Sequence, residues 1–167
     1  VSTVFAQNGT PADTMVGAQA SEAQLLALNA SGKLRDYRYL LFSAHGYLAQ
    51  NPSLSSLVLS QVGNSAEHDG YITADKWPLY DVRSDLTVLS ACDTGAGKTE
   101  AGEGVMGLPY ALFVAGNKNT LLSLWPVDDD ATAEFMRLFF EKLKQGLPQP
   151  QALAETKRAF MRSALWS

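Results

Sequence analysis

The sequence is poor in the residues that most often carry chemistry: among 167 residues there is one cysteine, Cys92, and two histidines, His45 and His68. A lone cysteine excludes an internal disulfide and fits a reducing compartment, so a cytoplasmic location is expected. No apolar run approaches the roughly 20 residues that a membrane-spanning helix requires, and no secretory signal is visible. Basic residues are not in excess: 13 Lys and Arg stand against 17 Asp and Glu, for a net charge of −4. That balance gives no electrostatic footprint for nucleic acid or an anionic membrane. Internal repeats, linkers and low-complexity tracts are also missing. What remains is 46% hydrophobic and 18% charged, the composition of an ordinary globular chain long enough to bury one core.

The stretch that organises this chain is Asp85-Leu-Thr-Val-Leu-Ser-Ala-Cys-Asp-Thr-Gly95. Its apolar and β-branched run reads as a strand buried on both faces, followed by a sharp turn. Such strands belong to parallel sheets, which present reactive groups at their carboxyl ends. Cys92 sits at such an end. Tyr37-Arg-Tyr-Leu-Leu-Phe-Ser-Ala-His-Gly46 copies the arrangement and delivers His45. If the two strands are neighbours, thiol and imidazole face each other.

Along the chain, Val1 to Phe5 reads as a short strand. Ser21-Glu-Ala-Gln24 has the spacing of a capping box, and Gly32 supplies the left-handed residue that ends the helix. Leu57 to Val62 reads as a strand, and Asp69-Gly70 as the turn of a hairpin outside the main sheet. Thr73 to Trp77 is expected to start a short helix, and a further helix spans about Val105 to Ala115 with Pro109 near its start. Thr120 to Trp125 is a short buried strand. Asp129 or Asp130 caps the next helix, whose Phe135, Leu138, Phe139 and Leu143 share a face. Pro150 opens the last one. Strands alternating with helices predict a three-layer α/β sandwich with a mostly parallel central sheet, residues 1–167 forming a single domain.

A cysteine is a useful nucleophile only as thiolate, and so requires a base or a positive charge beside it. Taken alone, Cys92 reads as a buried inert thiol. With His45 at the matching strand end, nucleophile and base become the better reading, because imidazole titrates near neutrality. The N–H groups of Gly46 and Cys92 are the natural donors to a developing oxyanion. Trp125, at a loop junction, is a candidate for the wall of a substrate groove, and Asp129 lies in the acidic cluster that follows it. Acids at a helix N-terminus and an aromatic plug at the core edge are the structural alternatives. Asp93, beside the nucleophile, is a further candidate. Gly95-Ala-Gly-Lys-Thr99 fails as a phosphate-binding loop, since the required first glycine is Cys92. His68 in its polar turn reads as solvated, and neither a metal nor a cofactor is expected.

Four motifs in order carry a resemblance: His45-Gly46 after its strand, Ser90-Ala-Cys-Asp-Thr-Gly95, Gly102-Glu-Gly-Val-Met-Gly-Leu108, and Ser123-Leu-Trp-Pro-Val-Asp-Asp129. Over about Val16 to Phe160 the sequence resembles the CHAT domain, a caspase-like peptidase domain related to separase and often fused to tetratricopeptide repeats. The resemblance implies a caspase-haemoglobinase-like fold and a thiol protease cutting proteins or peptides through a thioester acyl-enzyme. Carried over by position, Cys92 is the nucleophile and His45 the general base. Because loops at the carboxyl ends of the strands build the pocket in caspase-like folds, the resemblance also makes Asp129 a pocket candidate, where a carboxylate selects a basic side chain. It also implies partners: a protein or peptide substrate, and a tetratricopeptide-repeat region, a regulator or an upstream fragment of the same protein. Because the sequence opens on Val1 and the family's first strand and helix look absent, it is expected to lack its N-terminal part. A latent enzyme, with Thr94 to Gly104 and the loop after His45 moving on activation, is one expectation. A catalytically silent interaction domain is the alternative.

Overall fold

Four buried residues in a row, Leu86–Leu89, form strand β5, and the computed structural model places them at the centre of a parallel sheet. It describes residues 4, 12–47, 49–90, 103–123 and 128–163. Helix α1 (Glu22–Ala30) is capped by Ser21, whose hydroxyl accepts from the Gln24 N–H at 3.2 Å. Gly32 comes next, with φ +74°. Strand β1 (Tyr39–Phe42) then lies parallel to β5, and β6 (Thr120–Leu122) flanks β5 on its other side, giving the order β1-β5-β6. Strands on both edges and burial of all four residues suit the β5 segment to a run without polar alternation, in which only the Thr87 hydroxyl interrupts the apolar side chains.

The amino-terminal ends of these strands are fastened by polar groups. Asn117 is 2% exposed. Its Oδ1 accepts from the hydroxyls of Ser84 (2.8 Å) and Thr87 (3.0 Å), and its Nδ2 donates to the Asn119 carbonyl and the Thr120 hydroxyl. Every polar position of that amide is therefore used, which is the condition for burying it. Beside it, the Asp85 carboxylate accepts from Lys118 Nζ at 2.7 Å and Arg38 Nε at 2.9 Å, joining the segments that lead into all three strands. The Lys118 ammonium, and next the Arg38 guanidinium, hold the Asp85 carboxyl below the usual carboxylate range. A depressed folded pKa adds stability that is present above the unfolded value of about 3.9 and is lost as pH falls through the folded value. Both cations are more than two-thirds exposed, so solvent limits the contribution to about 1 kcal/mol or less. Asp85→Asn is expected to lower the urea midpoint slightly at pH 7 and to leave it equal to the parent's at a pH low enough to protonate Asp85 in the folded protein. Equal midpoints at pH 7 would contradict the clamp.

Between β1 and β5 the chain builds a second, antiparallel sheet, β2-β3-β4, from β2 (His45–Tyr47), β3 (Ser56–Val58) and β4 (Tyr71–Thr73). The expected hairpin outside the main sheet is thus present, with Gly70 at φ +83° in its turn. Strand β3 is shorter than the Leu57–Val62 expectation because the backbone beyond it is committed elsewhere: the Ser60 N–H donates to the Ala20 carbonyl at 2.8 Å. The helix expected to begin at Thr73 to Trp77 is instead a turn followed by one 3-10 turn, Trp77–Leu79, with the Thr73 hydroxyl bonded to the Asp75 carboxylate.

Trp77 is fully buried, with Phe42 edge-on at 5.6 Å and Tyr80 at 5.5 Å. Burial, and then the charge of Glu22, push the Tyr80 phenol up to about 12, so it stays neutral at ordinary pH. Around them pack Leu57, Ile72, Leu89 and Leu112, each burial contributing roughly 1.5–3 kcal/mol. Helix α2 (Glu103–Val114) starts before the expected residue 105 and holds Pro109 in its interior, not near its start. It ends at Gly116, φ +99°. A Cβ at Gly107 would stand 2.5 Å from the Pro52 carbonyl oxygen, so glycine is what lets this helix lie against the turn at Pro52.

The chain divides into two compact units, Met15–Pro126 and Val1–Thr14 with Val127–Ser167. In the second unit, helix α3 (Asp129–Lys144) packs on α4 (Gln149–Phe160), with Phe135 edge-on to Phe160 at 5.5 Å. Asp128 caps α3, not Asp129 or Asp130. Its extended backbone lets the carboxylate reach the Ala131 N–H at 2.9 Å, while its two neighbours fall in the first turn, where the macrodipole favours acids. Val4, within the stretch expected to be a strand, is helical and buried, and its carbonyl accepts from Lys144 Nζ at 2.7 Å.

Candidate active site

Strands β1 and β5 are parallel neighbours in the register Tyr39 to Leu86 and Phe42 to Leu89. The ladder continues one step further, with the Ser90 N–H donating to the Phe42 carbonyl at 2.9 Å. His45 comes three residues after Phe42, and Cys92 three after Leu89. As far as Ser90, the chain leading toward Cys92 stays beside the one leading toward His45. Cys92 and Asp93 lie outside the described residues, as do Trp125 and residues 94–102 of the expected moving segment 94–104, whose last two residues open helix α2.

The histidine strand differs from expectation in one respect. It does not run unbroken from Tyr37 to His45: β1 stops at Phe42, and after Ser43 and Ala44 the chain enters the antiparallel sheet, with His45 the first residue of β2. The segment beginning at His45 is at first ladder, not loop: His45 pairs with Val58, Gly46 with Leu57 and Tyr47 with Ser56. His45 is exposed and Gly46 half-buried.

The direction of the Gly46 N–H is set by the alternation of an antiparallel ladder. The Leu59 N–H donates to the Gly70 carbonyl and the Ala74 N–H to the Ser55 carbonyl. Residues 55, 57 and 59 thus turn their backbone polar groups toward β4, and 56 and 58 turn theirs toward β2. Gly46, opposite Leu57, is a non-hydrogen-bonded pair, and its N–H points away from β3. The β2–β3 ladder therefore does not use this N–H.

Asp129 is exposed in the first turn of α3, in the second unit. His68 is not simply solvated: it is half-buried, and its Nδ1 is enclosed with no hydrogen-bond partner among the described residues. Sequence reading passed over Tyr47 and Tyr71, which share a sheet face with His45. Three-residue strands are too short for alternation to stand out, and the signal was only the spacing His45-x-Tyr47.

The second sheet is held by a buried acid. Glu22 is 2% exposed, accepts from the Gly70 N–H at 2.9 Å and pairs with Lys76 Nζ at 3.0 Å. Lys76 also donates to the Tyr71 carbonyl at 2.8 Å. The Tyr71 N–H in turn bonds Asp69 Oδ1 at 3.0 Å, the main cause holding the Asp69 carboxyl below its ordinary value.

These features define an α/β domain whose central parallel strand β5 pairs with β1, the strand that leads to His45. The family model of the CHAT domain matches residues 1–167, and the chain belongs to that family, whose fold is caspase-like and related to peptidases. It is also similar to tetratricopeptide repeat protein 28 of Homo sapiens, 34% identical over 82 residues, covering 49% of this chain and 3% of that protein. The Mus musculus protein of the same name is 32% identical over 91 residues, covering 53% of this chain and 4% of its own length. The match therefore spans only a few per cent of these curated relatives.

Proposed function

We propose that this chain is a cysteine endopeptidase in which His45 is the general base and Cys92 the nucleophile. The observation that supports the reading is the parallel pairing of Phe42 with Leu89, the residues three positions before His45 and Cys92. His45 takes the thiol proton, and the thiolate attacks the carbonyl carbon of a peptide bond. The oxyanion is met by the backbone N–H groups of Gly46 and Cys92. His45 returns the proton to the leaving amine, and a thioester remains on Cys92. Water, deprotonated by His45, then attacks the thioester and releases the acid. Asp129, Trp125 and Asp93 stay as candidates for the substrate pocket, and a tetratricopeptide-repeat region as a candidate partner.

The test is a map of new N-termini. A proteome-derived peptide mixture incubated with the chain is expected to show cleavages at a defined sequence pattern that vanish with Cys92→Ala. Cleavages that persist in Cys92→Ala, or none under conditions where Cys92 is reactive toward a thiol-directed inhibitor, would overturn the endopeptidase reading.

A further inference from the structure

The sheet face that carries His45 carries two tyrosines as well. Strand β2 sends His45 and Tyr47 to one side and Gly46 to the other. The registers put Val58 and Tyr71 in one row with His45, and Ser56 and Thr73 in one row with Tyr47. Leu57 and Ile72, in line with Gly46, are fully buried in the core. On the opposite face Tyr47 is 58% exposed and Tyr71 40%, with half-buried Val58 between the strands that hold them. Their backbones are fixed: Tyr71 by Asp69 at its N–H and Lys76 at its carbonyl, and Tyr47 by pairing with the buried Ser56. Folding gains little from such exposed rings. Large aromatics on a pinned backbone are instead the side chains that bind at low entropic cost.

Acyl-transfer chemistry decides which part of a substrate meets this face. The base that removes the nucleophile's proton gives it back to the leaving amine. The leaving amine must therefore lie against the imidazole, and the chain beyond the cut continues over the face on which that imidazole stands. The acyl half lies on the side of the thiol. Along β2, Tyr47 is about 7 Å from His45, and across two strands Tyr71 is about 10 Å away, the reach of two to three residues of extended peptide.

We infer that Tyr47 and Tyr71 form the subsite for the residues that come after the scissile bond. The substrates this selects are polypeptides with an aromatic or branched apolar side chain within the first three residues after the cut. The inference rests on the assignment of His45 and Cys92 as base and nucleophile.

Two readouts on the whole chain separate the inference from that assignment. An inhibitor carrying only residues from before the cut, with a thiol-reactive ketone at its end, reports the dyad alone. A peptide pair built on a mapped cleavage site, with Phe or Ser as second residue after the cut, reports the subsite. Tyr47→Ser with Tyr71→Ser is expected to be labelled at the parent's rate while the preference for Phe, about tenfold or more in the parent, falls to near unity. Tyr47→Phe with Tyr71→Phe is expected to keep both. Normal labelling with an undiminished Phe preference would overturn the subsite and leave the dyad standing. Labelling lost together with the preference would make the tyrosines structural supports, which also overturns it. A parent that is not labelled at all would remove the dyad, and this inference with it.

Discussion

His45→Ala is expected to lower peptide cleavage by on the order of 10²- to 10⁴-fold, the usual worth of a positioned acid–base group, with the fold intact. The side chain is exposed at the start of β2, so its removal opens no cavity, and the ladder to Val58 uses only backbone. The modest strand propensity of alanine costs well under about 1 kcal/mol. Activity and stability therefore separate: circular dichroism and the urea midpoint remain close to the parent's while turnover disappears. A His45→Ala chain that still cleaves within about tenfold of the parent would mean that another group activates the thiol.

The largest effect on stability is expected at Glu22. Its carboxylate is buried at the first turn of α1 and serves two donors from a distant part of the chain, the Gly70 N–H and Lys76. Glu22→Ala leaves the Gly70 N–H unpaired and takes away one of the acceptors of a partly buried ammonium, a loss of about 2–4 kcal/mol. Gly70 cannot move to find another partner. It sits at φ +83°, and even a methyl group there would meet the Ser60 carbonyl oxygen at 2.8 Å. Glu22→Gln keeps an acceptor and is expected to lose less. Amide exchange resolves the effect: Gly70 and its neighbours on β3 and β4 lose protection in Glu22→Ala before β5 does. A Glu22→Ala midpoint within about 0.5 kcal/mol of the parent would contradict the anchoring role.

How far the sequence foretells this structure depends on how local the cause is. The β5 run was legible because a central parallel strand is apolar on both faces, and Ser21 because capping is a contact three residues long. The junction between β1 and β2 was not. Ser43-Ala44 has no turn signature, and what moves the chain into a second sheet is pairing with Val58 and Ser56 further along the chain. Three consecutive aspartates are equally able to cap α3, and the extended backbone at Asp128 decides among them. Pro109 reads as a first-turn residue, but helix α2 begins at Glu103. Of the candidate site, the likeness of Ser-Ala-His to Ser-Ala-Cys was visible, and the sheet shows that β1 and β5, the strands that precede them, are parallel neighbours. The tyrosines beside His45 became visible only once the registers of three short strands aligned them.

The most direct test of the central claim is the rate of alkylation of Cys92 against pH, in the parent and in His45→Ala. A thiolate paired with imidazolium reacts well below the ordinary thiol value of about 8.5. The account predicts rapid alkylation persisting below about pH 7 in the parent and a shift of the whole profile to about 8.5 in the variant. Superimposable profiles near 8.5 for both would contradict a dyad between His45 and Cys92.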